Sequence, residues 1–219
     1  MEPLTRHAAV LATLGFIASL IISIQSNGFY QDDDITYYLL AKEGYGDWMA
    51  LLHWWARPGY NLLTVLPAHW GGFLACRIWS GVQTALVAFM AYRIARELMG
   101  SSPWTLWAPV LVWVQPLVFR LSTTTLTETP AALFLTLAVL LFLRGRYAWA
   151  CLSMSLVFVT RYETMALGPV WGVALWMVAL REDPGPWIRR LWSWRVVQGC
   201  LCLLWAPVLY ALVAWLSDM

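Results

Sequence analysis

The run Ala8-Ala9-Val10-Leu11-Ala12-Thr13-Leu14-Gly15-Phe16-Ile17-Ala18-Ser19-Leu20-Ile21-Ile22-Ser23-Ile24 is followed shortly by Asp32-Asp33-Asp34-Ile35-Thr36-Tyr37-Tyr38. The first part is a stretch that can cross a bilayer as a helix. Only Arg6 and His7 stand before it as charged or titratable flanks besides Glu2. A secretory signal peptide is the competing reading, but Gln25-Ser26-Asn27-Gly28 lacks the small-residue pattern of a cleavage site. The run is therefore read as an uncleaved first span. The acidic cluster beyond it is costly beside a membrane unless it has a task or free access to water.

The rest of the chain agrees with a membrane setting. Of 219 residues, 61% are hydrophobic and 12% charged. A soluble domain carries about 25% charged residues, and a soluble core this apolar would expose adhesive patches. The net charge of +2 includes no basic stripe of the kind nucleic acid requires. Cys76, Cys151, Cys200 and Cys202 lie in apolar stretches and have no zinc-ligand spacing, so they are read as small buried residues.

Hydropathy predicts an all-α polytopic membrane protein with about seven spans. They run over Ala8–Ile24, near Gly71–Tyr92, over Trp104–Phe119, Pro130–Leu143, Tyr147–Thr160, Thr164–Leu180 and Val196–Leu216. Residues 1–219 form a single transmembrane domain on this reading, with an outer loop at about 25–70. With the N-terminus in the cytoplasm, Arg6, Arg93, Arg96, Arg144, Arg146, Arg181, Arg189, Arg190 and Arg195 fall inside. Lys42, Arg57, Arg77, Arg120 and Arg161 fall outside or at outer span ends, as the positive-inside bias favours. Within the outer loop, Asp47–Trp55 has the composition of an interfacial amphipathic helix, and Pro58-Gly59 is expected to end it.

Five outer elements offer chemistry: Asp32-Asp33-Asp34, His53 to Pro58, Arg120, Thr127-Glu128-Thr129 and Arg161-Tyr162-Glu163. The carboxylates could act as a base or hold a divalent cation. Arg57 and Arg161 suit a phosphate, because a guanidinium matches its geometry with paired hydrogen bonds. His53 could carry a proton or donate to a phosphate. Each also has a plain structural reading: a hydrated acidic loop, lipid-headgroup contact, or a helix cap at Glu128 beside Thr127 and Thr129. The fourth and fifth spans are short, so Glu128, Arg161 and Glu163 are expected at outer-leaflet depth, lining a cavity or pairing. Arg161 and Glu163 are two apart and share no helix face, so their pairing requires irregular backbone. No glycine-rich phosphate loop, nucleophile elbow or zinc-binding histidine pair is present.

These residues resemble the GT-C glycosyltransferases, which include the protein O-mannosyltransferases, the aminoarabinose transferases of lipid A and bacterial relatives. Their first outer loop often reads Asp-Asp/Glu-x-x-Tyr, and Asp33-Asp34-Ile35-Thr36-Tyr37 has that spacing. The stretch from His53 to Pro58 is similar to their outer Arg-Pro region. The resemblance implies transfer of a sugar from a polyprenyl-phosphate donor to a lipid, glycan or protein hydroxyl, with inversion. It implies Asp33 as general base, Asp34 as its orienting neighbour, and Arg57 or Arg161 on the leaving phosphate. Tyr37, His53, Glu128 and Glu163 would line the substrate site. No cofactor is required on this reading, although Asp32, Asp33 and Asp34 could hold a divalent cation. The likeness further implies the outer face of a bacterial or archaeal plasma membrane. Relatives usually carry further spans or a soluble outer domain, so only the shared core is expected here. Two other readings stay open: a non-catalytic assembly or lipid-binding module, and an ion-coupled transporter.

Overall fold

The computed structural model describes residues 3–26, 32–52, 55–182 and 194–217. Among them every regular element is helical and no strand occurs. The helices are α1 (Pro3–Gln25), α2 (Asp32–Glu43), α3 (Pro58–Met99), α4 (Trp107–Val114) and α5 (Pro116–Leu121). They continue as α6 (Glu128–Leu143), α7 (Tyr147–Thr160), α8 (Gly168–Glu182) and α9 (Trp194–Ser217). Short 3-10 turns lie at Trp48–Leu52, Pro103–Leu106 and Tyr162–Leu167.

Four helical stretches among the described residues are long and apolar enough to cross a membrane: Pro3–Gln25, Pro58–Met99, Tyr162–Arg181 and Val196–Ser217. Pro103–Val114, Glu128–Leu143 and Tyr147–Thr160 are shorter apolar helices. Only 11% of the apolar window in the Tyr162–Arg181 stretch and 17% of that in Val196–Ser217 are buried inside the protein. Water cannot be the solvent for such faces, so the chain is read as membrane-embedded.

Small residues decide the packing of α1. Ala8, Ala12, Ser19 and Ser23 turn inward, while Val10, Leu14, Ile17 and Ile21 are exposed. Without large side chains in the seam, the helix backbones approach closely. Gly15 lies so near the Trp113 indole of α4 that a Cβ there would overlap the ring. A second core joins α6, α7, α8 and α9 through Phe134, Met154, Phe158, Leu175 and Leu203. A third joins α2, α3 and the segment before α6 through Tyr37, Tyr60, Cys76 and Leu126.

Several boundaries differ from the sequence reading for identifiable reasons. The stretch read as outer loop is largely helical. α2 starts on the acidic run, where carboxylates favour the positive end of the helix dipole. Pro58 begins α3 rather than ending a helix, since proline suits the first helical turn. Arg57 before it is extended at φ −118°, ψ 93°, as residues preceding proline tend to be. Of the interfacial helix expected over Asp47–Trp55, positions 53 and 54 lie outside the described residues, and Trp48–Leu52 is a 3-10 turn. The span expected over Trp104–Phe119 is broken at Gln115, which is extended ahead of Pro116.

The α6–α7 hairpin gives the molecule two ends. Its turn, Arg144-Gly145-Arg146, lies beside the C-terminal end of α3, where Arg144 Nε donates to Glu97 Oε1 at 2.8 Å. The start of α1 is there too, because Thr5 Oγ1 lies 3.2 Å from the Tyr92 hydroxyl and accepts from Arg96 at 3.3 Å. The other end of the hairpin carries Glu128 and Arg161.

Candidate functional site

The acidic run occupies three successive positions in the first turn of α2. A helix turns about 100° per residue, so the three carboxylates diverge. Asp32 is exposed, and its backbone carbonyl accepts from the Thr36 hydroxyl at 3.0 Å. Asp33 faces a cavity. Asp34 is only 1% exposed and turns into the protein, where the backbone N–H and hydroxyl of Thr125 both donate to it. Asp34, expected to orient the acceptor or stabilise developing charge, accepts from Thr125 and is not among the residues lining the cavity. A cation shared by Asp32, Asp33 and Asp34 would need the three to converge, and they point apart. No cluster of three His, Cys, Asp or Glu suited to a metal ion occurs among the described residues.

The Thr125 segment is shaped by its own hydroxyls. Ser122, Thr123 and Thr124 donate to the carbonyls of Phe119, Arg120 and Leu121 at 2.6, 2.8 and 2.9 Å. Such bonds three residues back compete with helix continuation and end α5. Arg77 Nε of α3 donates to the Thr123 carbonyl at 2.7 Å. The chain then enters α6 at Glu128, with Pro130 in the first turn. The N-cap residue Thr127 makes no side-chain cap hydrogen bond to that helix.

α7 ends at Thr160, and Arg161 is extended at φ −141°, ψ 108° before the 3-10 turn. This is the irregular backbone that pairing of Arg161 with Glu163 requires. Arg161 forms a salt bridge to Glu128 Oε1, and its Nε lies 3.8 Å from Glu163 Oε2. Glu128 Oε2 is buried without a hydrogen-bond partner. Tyr162 donates its hydroxyl to the Ala56 carbonyl at 3.1 Å and sets its ring 4.2 Å beneath the Arg57 guanidinium. Burial opposes charge on Arg57, but the Tyr37 hydroxyl, Tyr162 and Glu163 outweigh it, so its pKa lies above the ordinary value.

These elements enclose one cavity of about 160 Å³. Asp33, Tyr37, Trp55, Arg57, Leu126, Thr127, Glu128, Arg161 and Glu163 line it. The wall is rich in charge, with three carboxylates and two guanidiniums among its residues. The two arginines are not equivalent. Arg161 is engaged by Glu128 and Glu163, whereas Arg57 forms no salt bridge among the described residues. Arg57 is the cation better placed to receive an anion.

Not every candidate converges. His53 lies outside the described residues. Arg120 is exposed at the end of α5 and does not line the cavity. His69 stacks on Tyr45, ring centroids 3.6 Å apart, in a packing role. Arg77 is buried and does not line the cavity. Trp55 and Thr127 line the wall as members of runs to which the sequence points. Leu126 had no expected place there, and its one available signal was the threonine run just ahead of Glu128.

No protein-family model matches the chain, and neither does a curated protein or a solved structure. The GT-C resemblance rests on the motif residues themselves.

Proposed function

We propose that the chain is a membrane glycosyltransferase of the GT-C type. It moves a sugar from a polyprenyl-phosphate donor to an acceptor hydroxyl of a lipid, glycan or protein. One observation carries this reading: Asp33, Arg57, Glu128 and Arg161, from four separate parts of the chain, wall a single cavity. Asp33 takes the proton of the acceptor hydroxyl as its oxygen attacks the anomeric carbon. The bond from that carbon to the phosphate oxygen breaks, and the configuration inverts. Arg57 compensates the charge that grows on the departing phosphate. Tyr37 and Thr127 offer hydroxyls to the sugar, and Glu128 Oε2 supplies an acceptor free for a sugar hydroxyl.

At about 160 Å³ the cavity is smaller than a whole ligand pocket, which usually measures about 300–1,000 Å³. It suits a phosphate and part of one sugar, with the lipid and acceptor outside. The shorter helices are read as further crossings, making seven spans. The 16 residues of α6 rise about 24 Å and the 14 of α7 about 21 Å, against about 30 Å of hydrocarbon. That difference leaves the cavity recessed within the outer leaflet. The N-terminus and the basic Arg144-Gly145-Arg146 turn then face the cytoplasm of a bacterial or archaeal cell.

The test is incubation of membranes containing the chain with labelled polyprenyl-phosphate sugars. Asp33→Asn is expected to lower transfer by about 10²–10⁴-fold, the usual contribution of a general base. Transfer at the parent rate by Asp33→Asn, at equal membrane insertion, would sink the mechanism.

A further inference from the structure

Two charged side chains near the cavity avoid it. Asp34 is 1% exposed and Arg77 is 4% exposed, and neither lines the wall. Buried charge in a membrane-embedded chain is expensive and is retained where it has a task. Both side chains hold the same short segment, by opposite kinds of group. Asp34 takes donors, the N–H and hydroxyl of Thr125. Arg77 takes an acceptor, the Thr123 carbonyl, at 2.7 Å, and its other arm donates to the Ser26 carbonyl beyond α1 at 2.6 Å. The anion and the cation thus compensate one another across three residues of backbone. A mere link between neighbouring segments needs no charge. α1 makes one with neutral hydroxyls, Ser19 Oγ lying 2.9 Å from Ser122 Oγ.

The held segment leads straight into the cavity wall. Leu126, Thr127 and Glu128 come directly after Thr125, and all three line the cavity. Asp33 directly precedes Asp34 and lines the same cavity. We propose that Arg77 and Asp34 are a positioning clamp that fixes the separation of Asp33 and Glu128 in the cavity wall. Neither is a catalytic residue; both act through Thr123–Thr125. The consequence for sugar transfer rests on the proposed transferase function, whereas the clamp itself does not.

The test reads the clamp without requiring activity. Thr127, 3% exposed, is replaced as Thr127→Cys in a Cys200→Ser/Cys202→Ser chain in membranes. The introduced thiol is titrated with a small water-soluble maleimide. Cys151, 0% exposed in the core between α7 and its neighbours, reports global loosening. Adding Arg77→Met or Thr125→Val is expected to speed labelling at position 127 by about tenfold, through local opening, with Cys151 still protected. Arg77→Lys, which keeps the charge and one donor, is expected to restore part of the parent protection. Unchanged labelling at position 127 overturns the clamp, as does a parallel rise at Cys151. Where sugar transfer is measurable, Arg77→Lys is expected to lower kcat with KM for the donor changed by less than about twofold. Failure of the transferase reading removes only that last measurement, so the two ideas fail separately.

Discussion

Each end of the α6–α7 hairpin carries an arginine–glutamate pair, Arg144–Glu97 and Arg161–Glu128, with nearly the same exposure, and Arg161 also lies 3.8 Å from Glu163. At the turn, Arg144 is 34% and Glu97 36% exposed; at the other end, Arg161 is 32% and Glu128 35% exposed. At the turn the pair ties the hairpin to the end of α3. At the other end the pair stands in a wall with Asp33, Tyr37, Arg57 and Thr127, and one carboxylate oxygen is left buried without a partner. Pair chemistry and exposure therefore do not distinguish a fastening from a site. Convergence of separate chain segments and an unspent hydrogen-bonding group do.

The sharpest way to break this contrast is to remove the same charge at both ends. Glu128→Gln should remove one of the two carboxylates that engage Arg161 and, on the proposed function, lower sugar transfer by about 10²-fold, as a small misplacement in a site does. Glu97→Gln, assayed in the same membranes, should leave transfer at the parent level. Equal losses would erase the distinction. A smaller effect is expected from the packing behind the cavity. A Cβ at Gly59 would lie 2.8 Å from the Leu156 carbonyl oxygen and would meet Thr160. Gly59→Val should cost about 1–3 kcal/mol by overpacking, read as a lowered unfolding temperature in detergent. The smallest change belongs to the fastening itself. Glu97→Gln should shift stability by about 0–1 kcal/mol, the range of exposed ion pairs, and a larger loss would mean that the turn end is also a built structure.

The long apolar helices could be read from the sequence because hydropathy needs no partner information. Val196–Leu216 was expected and α9 covers Trp194–Ser217; Tyr147–Thr160 coincides with the bounds of α7, which is a shorter apolar helix and not one of the four stretches long enough to cross a membrane. The irregular end was harder. Asp32-Asp33-Asp34 suggested a hydrated loop, although three acids in front and Lys42 behind are also the charge pattern of a short helix. Pro58 carried a local signal that fits both the end and the start of a helix. That Glu128, Arg161 and Glu163 would line a cavity or pair was an expectation drawn from short spans, while Asp33 and Arg57 came from their place in the outer loop and from the GT-C resemblance. The split between Asp33 and Asp34 was not legible, because it depends on Thr125, 91 residues away. Buried charges that serve by holding backbone leave little local pattern.

The bend in α3 has an evolutionary consequence. Gly72 sits at φ 66°, ψ −161° within an otherwise helical run, a backbone state that other residues enter only with strain. The Tyr38 hydroxyl lies 3.7 Å from where a Cβ at position 72 would project. Exposed positions such as Val10, Leu14 and Ile17 can exchange one apolar side chain for another over generations without altering the architecture. Position 72 has no such freedom: descendants that lose the glycine must carry the strain of a positive φ or straighten the bend in α3.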